Sequence, residues 1–318
     1  MNLELAKHWP LLIPAAAFIL DLAIGDPRNF PHPVRLIGNG LDMLEGWVTS
    51  GRARVFKGAF CTVLLAAVSG VTAWALANIP YLGLILALYL AYSGLALGQL
   101  LREAKSAAGL LETGDVAAAR EAVSMLVSRD VSGMDESGLR RSLAESVAEN
   151  VNDAFTAPFF WLVLLGLGGM WTYKAVSTMD SMWGYKSEKW SEAGRFPARA
   201  DDVLAWIPAR ITAFLMLAAG VVIRLDWRAA YDNFYADAGK SESPNAGWPM
   251  ATAAWLAGAR MGGPTPYFGE IKDKPHIGPE GEWDDYRLKR LIRLALAAGI
   301  AGALIMAGYV WAMTVLAS

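Results

Sequence analysis

The chain has 318 residues, 55% of them hydrophobic and 18% charged, with a mean hydropathy of +0.32 and a formal net charge of −2. A charged share well below the roughly 25% usual in soluble domains points to a membrane protein, and the small negative charge, with no basic face, speaks against nucleic acid as a partner. The single cysteine, Cys61, lies in an apolar run, which excludes a disulfide framework within the chain and a cysteine-only zinc site.

In chain order, the first apolar run covers residues 11–25, contains Pro14 and Asp21, and leads into GDPRNFPHPVR without a small-residue cleavage site. It reads as a retained segment and not as a cleaved signal. Residues 58–77 and 81–101 carry no charge and have the roughly 20-residue length that crosses a hydrocarbon core, with NIP at 78–80 as a tight turn between them. Residues 102–153 show helical periodicity, with a helix-start signal at Asp115. Further spans are predicted over 154–172, over 203–223, which includes Pro208 and Arg210, and over 291–316, with Arg293 placed to snorkel. Residues 264–286, rich in Pro and Gly, read as an irregular loop, and no strand-like alternation persists. The fold expected is all-α: a polytopic integral membrane helical bundle of about five transmembrane segments with helical and irregular cytoplasmic loops, forming one domain over 1–318. Lys and Arg are absent only from 78–80, so that tip is external and the other loops cytoplasmic. For this to hold with loop 173–202 inside, either 154–172, with Pro158 and the GLGG of 166–169, or the short first segment must be re-entrant.

Three polar constellations stand out. On a helix, Ser142, Glu145, Ser146, Glu149, Asn150 and Asp153 form one stripe. Carboxylates at steps of four repel, so a compensating cation is expected, and with no basic residue at the intervening steps Mg²⁺ suits the oxygen ligands Glu145, Glu149 and Asp153; a solvated helix face fits the spacing equally well. The second is DLAIGDPRNFPHPVRLIG, residues 21–38, where Pro27, Pro31 and Pro33 hold Asp26, His32 and Arg35 in fixed relation, or form a plain connection with an incidental histidine. The third is YKAVSTMDSMWGYKSEKW, residues 173–190, followed by RFPARADDVLAWIPAR. There Lys174 and Lys186 with Tyr173, Ser181 and Tyr185 can grip phosphate, and Asp180, Asp201 and Asp202 can hold metal or an amine; interfacial anchoring accounts for the same residue types. Arg210 lies too deep for an interfacial belt and calls for an anionic partner. GKS at 239–241 fails as a phosphate loop because Phe234 stands where the pattern needs glycine, and GLGG reads as a helix-packing motif. With only His8, His32, His276 and Cys61, zinc sites and Cys–His catalysis lack material.

Five blocks in order, DLAIGDPRNFPHPVRLIG, ESVAENVNDAFTAPFFW, YKAVSTMDSMWGYK, ARADDVLAWIPARITA and SPNAGWPMATAA, resemble the adenosylcobinamide-phosphate synthase family of cobalamin biosynthesis, called CbiB or CobD, over residues 21 to about 269. The resemblance implies an ATP-dependent amide-forming ligase of the cell (inner) membrane, multi-pass and with its active site facing the cytoplasm. Such an enzyme joins adenosylcobyric acid to (R)-1-aminopropan-2-yl phosphate or a related aminoalkyl phosphate, with ATP as cosubstrate and Mg²⁺ as metal. Its implied partners are the corrinoid, the aminoalkyl phosphate and membrane lipid, with a homo-oligomer or other cobalamin biosynthesis enzymes as protein partners.

Because a carboxylate must be activated before an amine attacks it, divalent metal and cationic clamps are needed. Glu145, Glu149 and Asp153 would hold Mg²⁺; Arg35, Lys174, Lys186 and Arg210 would neutralise phosphates; Asp26 or His32 would take the proton of the ammonium. SPNAGWP would contact phosphate or corrin through Ser243 and Asn245, and GGPTPYFGE keeps the family's Tyr267 and Gly269, whereas IKDKPHIGPEGEW departs from its pattern. A membrane sensor would not need these three constellations together, and a transporter would need more intramembrane charge in both halves.

Overall fold

In lipid every backbone polar group must be satisfied within its own segment, so long apolar runs become helices. The computed structural model describes residues 3–27, 31–185, 187–267 and 270–316; the side chains of 3–11, 266, 267, 270, 271, 313, 314 and 316 lie outside that description. The helices are α1 (Leu3–Ile24), α2 (Pro33–Thr49), α3 (Arg54–Ala77), α4 (Gly83–Ser93), α5 (Leu97–Glu112), α6 (Val116–Ser124) and α7 (Glu136–Val151). A π-helical turn (Asn152–Thr156) then leads into α8 (Ala157–Trp183), α9 (Arg195–Leu204), α10 (Trp206–Val222), α11 (Trp227–Ala238) and α12 (Gly247–Ala257). A hairpin of β1 (Met261–Tyr267) and β2 (Glu270–Ile277) precedes α13 (Asp285–Leu316). Among the described residues, Arg54–Ala77, Gly83–Glu112, Glu136–Trp183 and Asp285–Ala312 are long and apolar enough to cross a bilayer, and the broken pair α9 and α10 makes a fifth such segment. The protein is a polytopic helical membrane protein, as its composition requires.

The hairpin departs from the irregular loop expected at 264–286. Its strands are antiparallel, with Met261 opposite Ile277 and Gly263 opposite Lys274, and the register slips between Met261 and Gly263. Pro264, Pro266 and Pro275 argue against a strand in a wide sheet, but both members of a two-stranded ribbon are edge strands, where a missing N–H is tolerated. Gly262 and Gly263 make the slip feasible: both have positive φ, 78° and 84°, and a Cβ on Gly262 would lie 2.1 Å from the Pro275 carbonyl oxygen.

The chain divides into two compact units: Met1–Ala96, Ala157–Ala205 and Ala303–Ser318 form the first, and Leu97–Thr156 and Trp206–Gly302 the second. In the first, α3 packs on α8 at small residues. A Cβ on Gly70 would come within 2.3 Å of Thr172 Oγ1 and 2.9 Å of the Gly168 carbonyl, so the glycines of the GLGG stretch serve close helix packing. That stretch also bends the helix, since Gly166 holds the non-helical φ 67°, ψ −163°. Leu41, Val48, Cys61, Met179 and Trp183 form a buried cluster, with Trp183 stacked on Trp190 at 5.2 Å. In the second unit the buried faces of α5 and α7 meet, Leu97, Leu101, Ala104 and Leu111 lying on one and Leu139, Leu143 and Val147 on the other.

Candidate functional sites in the two units

In the first unit, the segment after α1 is fixed by tyrosines one turn apart on α4. Tyr89 donates its hydroxyl to the Pro31 carbonyl and Tyr92 to the Gly25 carbonyl. His32 then caps α2: its Nδ1 accepts the Val34 N–H at 3.3 Å, and Pro33 occupies the first turn, where its missing N–H costs nothing. With Nδ1 an acceptor, the neutral ring carries its proton on Nε2, which faces Asp26 Oδ1 at 3.9 Å. Burial lowers the His32 pKa, the Asp26 carboxylate and a hydrogen bond to the Ser93 backbone oppose that, and the positive charges of Lys174 and Arg35 reinforce it; the net shift is downward, which favours the neutral ring. Neither nitrogen of this tautomer offers a spare lone pair, which leaves Asp26 as the proton acceptor of the pair. His32 and Arg35 border a cavity of about 580 Å³ whose walls include Leu65, Val68, Leu86 and Trp171.

The other residues expected around Lys174 lie along α8 and α9 and in the segment between them. Tyr173 is 1% exposed and packs with Ala157, Ala205, Trp161 and Leu204. Ser181 returns its hydroxyl to the Ser177 carbonyl at 2.9 Å, and Tyr185 is exposed. The backbone carbonyl of Asp180 closes the end of α8 by accepting from Gly184. Asp201 and Asp202 are half-buried on α9. Lys186 and the Tyr267 side chain lie outside the described residues.

In the second unit the acidic stripe of α7 is largely buried and put to structural use. Glu145 is 1% exposed; its Oε1 accepts the Gly262 N–H at 2.7 Å and its Oε2 takes Arg129 Nη1. The cation that faces Glu145 is Arg129, supplied by the loop between α6 and α7 and not by a neighbouring turn. Ser146 donates to the Leu126 carbonyl at 2.7 Å and Asn150 to the Ser146 carbonyl at 2.9 Å. At the π-turn, Asn152 donates to Asp153 Oδ1 at 2.7 Å and accepts from Thr212 at 3.1 Å. Glu149 is half-buried and feels the charges of Asp153, Lys274, Arg129 and Glu145.

Where its depth suggested an anion, Arg210 meets a carbonyl, an amide oxygen and two indole rings. Its Nη1 donates to the Trp206 carbonyl and to Asn245 Oδ1, both at 2.9 Å, and its guanidinium lies 4.3 Å and 4.5 Å from the rings of Trp206 and Trp248. Asn245 is thereby oriented by Arg210, while Ser243 Oγ accepts the N–H of Asn245 and Ala246 ahead of α12. A carboxylate unremarked in the sequence, Asp237, ties this region together. It accepts from Trp255 Nε1 and the Gly278 N–H, both at 2.7 Å, and pairs with Lys240 Nζ at 2.5 Å. Burial alone would raise its pKa, but these donors outweigh it and hold the carboxyl below its ordinary value.

Among the described residues no three His, Cys, Asp or Glu side chains converge on a metal position. Glu145 has an oxygen on Arg129 and an oxygen on a backbone N–H, so the three-carboxylate cage expected from sequence does not fit. Glu149, with Asp153 nearby, does fit a Mg²⁺ ion of the kind that leans on one or two carboxylates, water and substrate phosphates.

The family profile described as CobD/Cbib protein matches residues 14–295. Among curated proteins, the cobalamin biosynthesis protein CobD of Klebsiella pneumoniae is 38% identical over 315 residues, covering 95% of this chain and 98% of that protein. The protein of the same name from Pelobacter propionicus is 39% identical, with 92% of each chain covered. That from Clostridium perfringens is 33% identical, covering 91% of this chain and 95% of its own length. No solved structure matches. With the profile spanning most of the chain and relatives above 30% identity along nearly their whole length, this protein belongs to the CobD/Cbib family.

Proposed function

We propose that the chain is an adenosylcobinamide-phosphate synthase, an ATP-dependent ligase that joins the carboxyl group of adenosylcobyric acid to the amine of (R)-1-aminopropan-2-yl phosphate or a related aminoalkyl phosphate. Its membership of a family whose curated members are named for cobalamin biosynthesis supports the pathway. The observation that carries the reaction type is the group around His32, which with Arg35 borders the first unit's cavity: Asp26 beside the neutral ring, with the cations Arg35 and Lys174 acting on it.

The chemistry follows from charge. The amine arrives as an ammonium attached to a phosphate monoester. Arg35 and Lys174 attract the phosphate, and Asp26 accepts the ammonium proton, which frees the nitrogen lone pair. His32, neutral and with Nδ1 occupied by the Val34 N–H, lies beside Asp26 without competing for that proton. On the other substrate, transfer of the ATP γ-phosphoryl group to a carboxylate oxygen gives an acyl phosphate and ADP. Attack by the neutral amine then forms the C–N bond as phosphate leaves, giving adenosylcobinamide phosphate. Mg²⁺, which Glu149 with Asp153 would hold, supplies neutralisation of phosphate charge. The apolar cavity beside His32 offers the activated acyl group walls with little affinity for water. The site works on the cytoplasmic face of the cell membrane, where ATP is available and where the Lys- and Arg-rich loops belong.

The test is reconstitution. Full-length protein in detergent is incubated with adenosylcobyric acid, the aminoalkyl phosphate, ATP and Mg²⁺, and products are followed by mass spectrometry. Adenosylcobinamide phosphate should form with stoichiometric ADP and only when all components are present. Absence of the amide from folded protein under these conditions refutes the proposal.

A further inference from the structure

The second unit holds a separate cavity of about 200 Å³, lined in part by Glu149, and the steps above leave the basic groups of that cavity unassigned. Four cations line it: Arg129 from the loop before α7, Lys240 from the end of α11, and Lys272 and Lys274 from β2. Two residues apart on a strand, the last two project from one face. The cavity also carries three carboxylates, Glu145 and Glu149 from α7 and Glu242 from the segment after α11, and Ser241 and Ser243 add hydroxyl donors.

The mixture of signs narrows the ligand. Arg129 is engaged by Glu145, and Lys240 is held by Asp237, whose other oxygen receives the N–H at the end of β2, so both cations and the hairpin are fixed in place before any ligand arrives. A bare polyanion would meet Glu149 at close range, and a bare metal ion would meet four cations. A chain of phosphates carrying a divalent cation satisfies both, with ammonium groups on phosphate oxygens and one carboxylate on the metal. Gly239–Lys240–Ser241 is not a phosphate loop, since Phe234 replaces the required glycine, yet its lysine is delivered to the same kind of task by the Asp237 pairing.

We propose that this cavity binds the polyphosphate of a nucleoside triphosphate together with Mg²⁺, with Lys240, Lys272 and Lys274 on the phosphates and Glu149 on the metal. The identity of the nucleotide as ATP rests on the ligase reading; the pairing of metal and phosphate rests on the cavity alone. The phosphate of the aminoalkyl phosphate is the other source of the same chemistry, and the experiment separates the two.

Affinity is measured by calorimetry on the full-length protein in detergent, with tripolyphosphate with and without Mg²⁺, MgATP, inorganic phosphate and the aminoalkyl phosphate as probes. In the wild type, Mg²⁺ should tighten tripolyphosphate binding. Lys272→Gln and Lys274→Gln should each weaken Mg-tripolyphosphate about tenfold or more, the size of one charge-assisted contact. Lys189→Gln, which removes an exposed lysine paired with Glu45 in the other unit, should change nothing. Glu149→Gln should abolish the Mg²⁺ effect while improving binding of the metal-free chain, an inversion that general unfolding cannot mimic. Equal affinity across all variants, no Mg²⁺ effect in the wild type, or an aminoalkyl phosphate that binds as tightly as tripolyphosphate and is weakened by the same lysine substitutions would overturn the assignment. Binding that follows this pattern in a protein that forms no amide refutes the ligase reading alone. Amide formation with unaltered binding in the lysine variants refutes the cavity assignment alone.

Discussion

In the first unit the charges at the cavity rim are held by backbone: His32 by the Val34 N–H, and its flanking carbonyls at Pro31 and Gly25 by two tyrosine hydroxyls. Asp26 approaches the ring only to 3.9 Å and its side chain is about a third exposed. In the second unit charges are held by opposite charges, Arg129 by a 1% exposed Glu145 and Lys240 by a buried Asp237. A loosely paired acid in contact with solvent can exchange a proton with an incoming ligand, whereas a buried, fully hydrogen-bonded pair is costly to open. Substitution of Asp26 should therefore be read out in activity, and substitution of Glu145 or Asp237, which hold the charge pairs of the second unit, in stability.

The largest effect tests the first half of that contrast. Asp26→Asn should lower turnover by about 10²- to 10⁴-fold, the usual weight of general base catalysis, with the thermal midpoint nearly unchanged. A comparable loss of midpoint would move Asp26 into the structural class. Next, Glu145→Ala should cost about 3–5 kcal/mol of unfolding free energy, because Arg129 is left buried without its counter-charge. Pairing Glu145→Leu with Arg129→Met should recover most of it, and a double variant no better than the single would contradict the buried-pair account.

Asp237→Ala should cost about 1–3 kcal/mol by stranding the Trp255 and Gly278 donors. Since the folded Asp237 pKa lies below its ordinary 3.8, the stability it contributes is complete above that value and is lost as pH falls through the lower folded value. Asp237→Asn should lack that acid limb, and an unchanged acid profile would count against it. His32 gives the milder counterpart in the first unit. Its folded pKa lies below 6.5, so the native state loses stability as pH falls from about 6.5, when the unfolded ring charges and the native ring does not. His32→Asn retains a helix-capping side chain and should flatten stability between pH 7 and 5; a variant with the wild-type slope would place that titration elsewhere. The smallest change is Arg210→Lys, expected to cost about 1 kcal/mol through loss of the planar stack on Trp206 and Trp248, and visible as a small midpoint shift.

Spans and short turns were legible in the sequence because lipid imposes a length and a polarity on each segment that local composition reveals. The start of α2 was legible for a similar reason, since Pro33 sits in its first turn behind the capping His32, but the Tyr89 and Tyr92 hydroxyls that hold the preceding segment come from α4 and leave no local signal. The hairpin was not, since Pro264, Pro266 and Pro275 argue against strands everywhere except in a ribbon made only of edges. The stripe of Glu145, Glu149 and Asp153 was visible as a problem in electrostatics, but the cation facing Glu145, Arg129, arrives from a loop 16 residues upstream that helix periodicity does not reach. Asp237 and the lysines of β2 carry no local pattern; their roles come from contacts that tertiary structure alone supplies, Asp237 reaching Gly278 across 41 residues.

Trapping with hydroxylamine tests the division of labour most directly. Hydroxylamine is uncharged near neutral pH and needs no base, so it intercepts an activated carboxyl as a hydroxamate whether or not the amine site works. With adenosylcobyric acid and MgATP, Asp26→Asn should yield hydroxamate at close to the wild-type rate while forming almost no amide from the aminoalkyl phosphate, and Lys274→Gln should lower both products together. Equal loss of hydroxamate and amide in Asp26→Asn, or amide formation at the wild-type rate in that variant, would contradict the account.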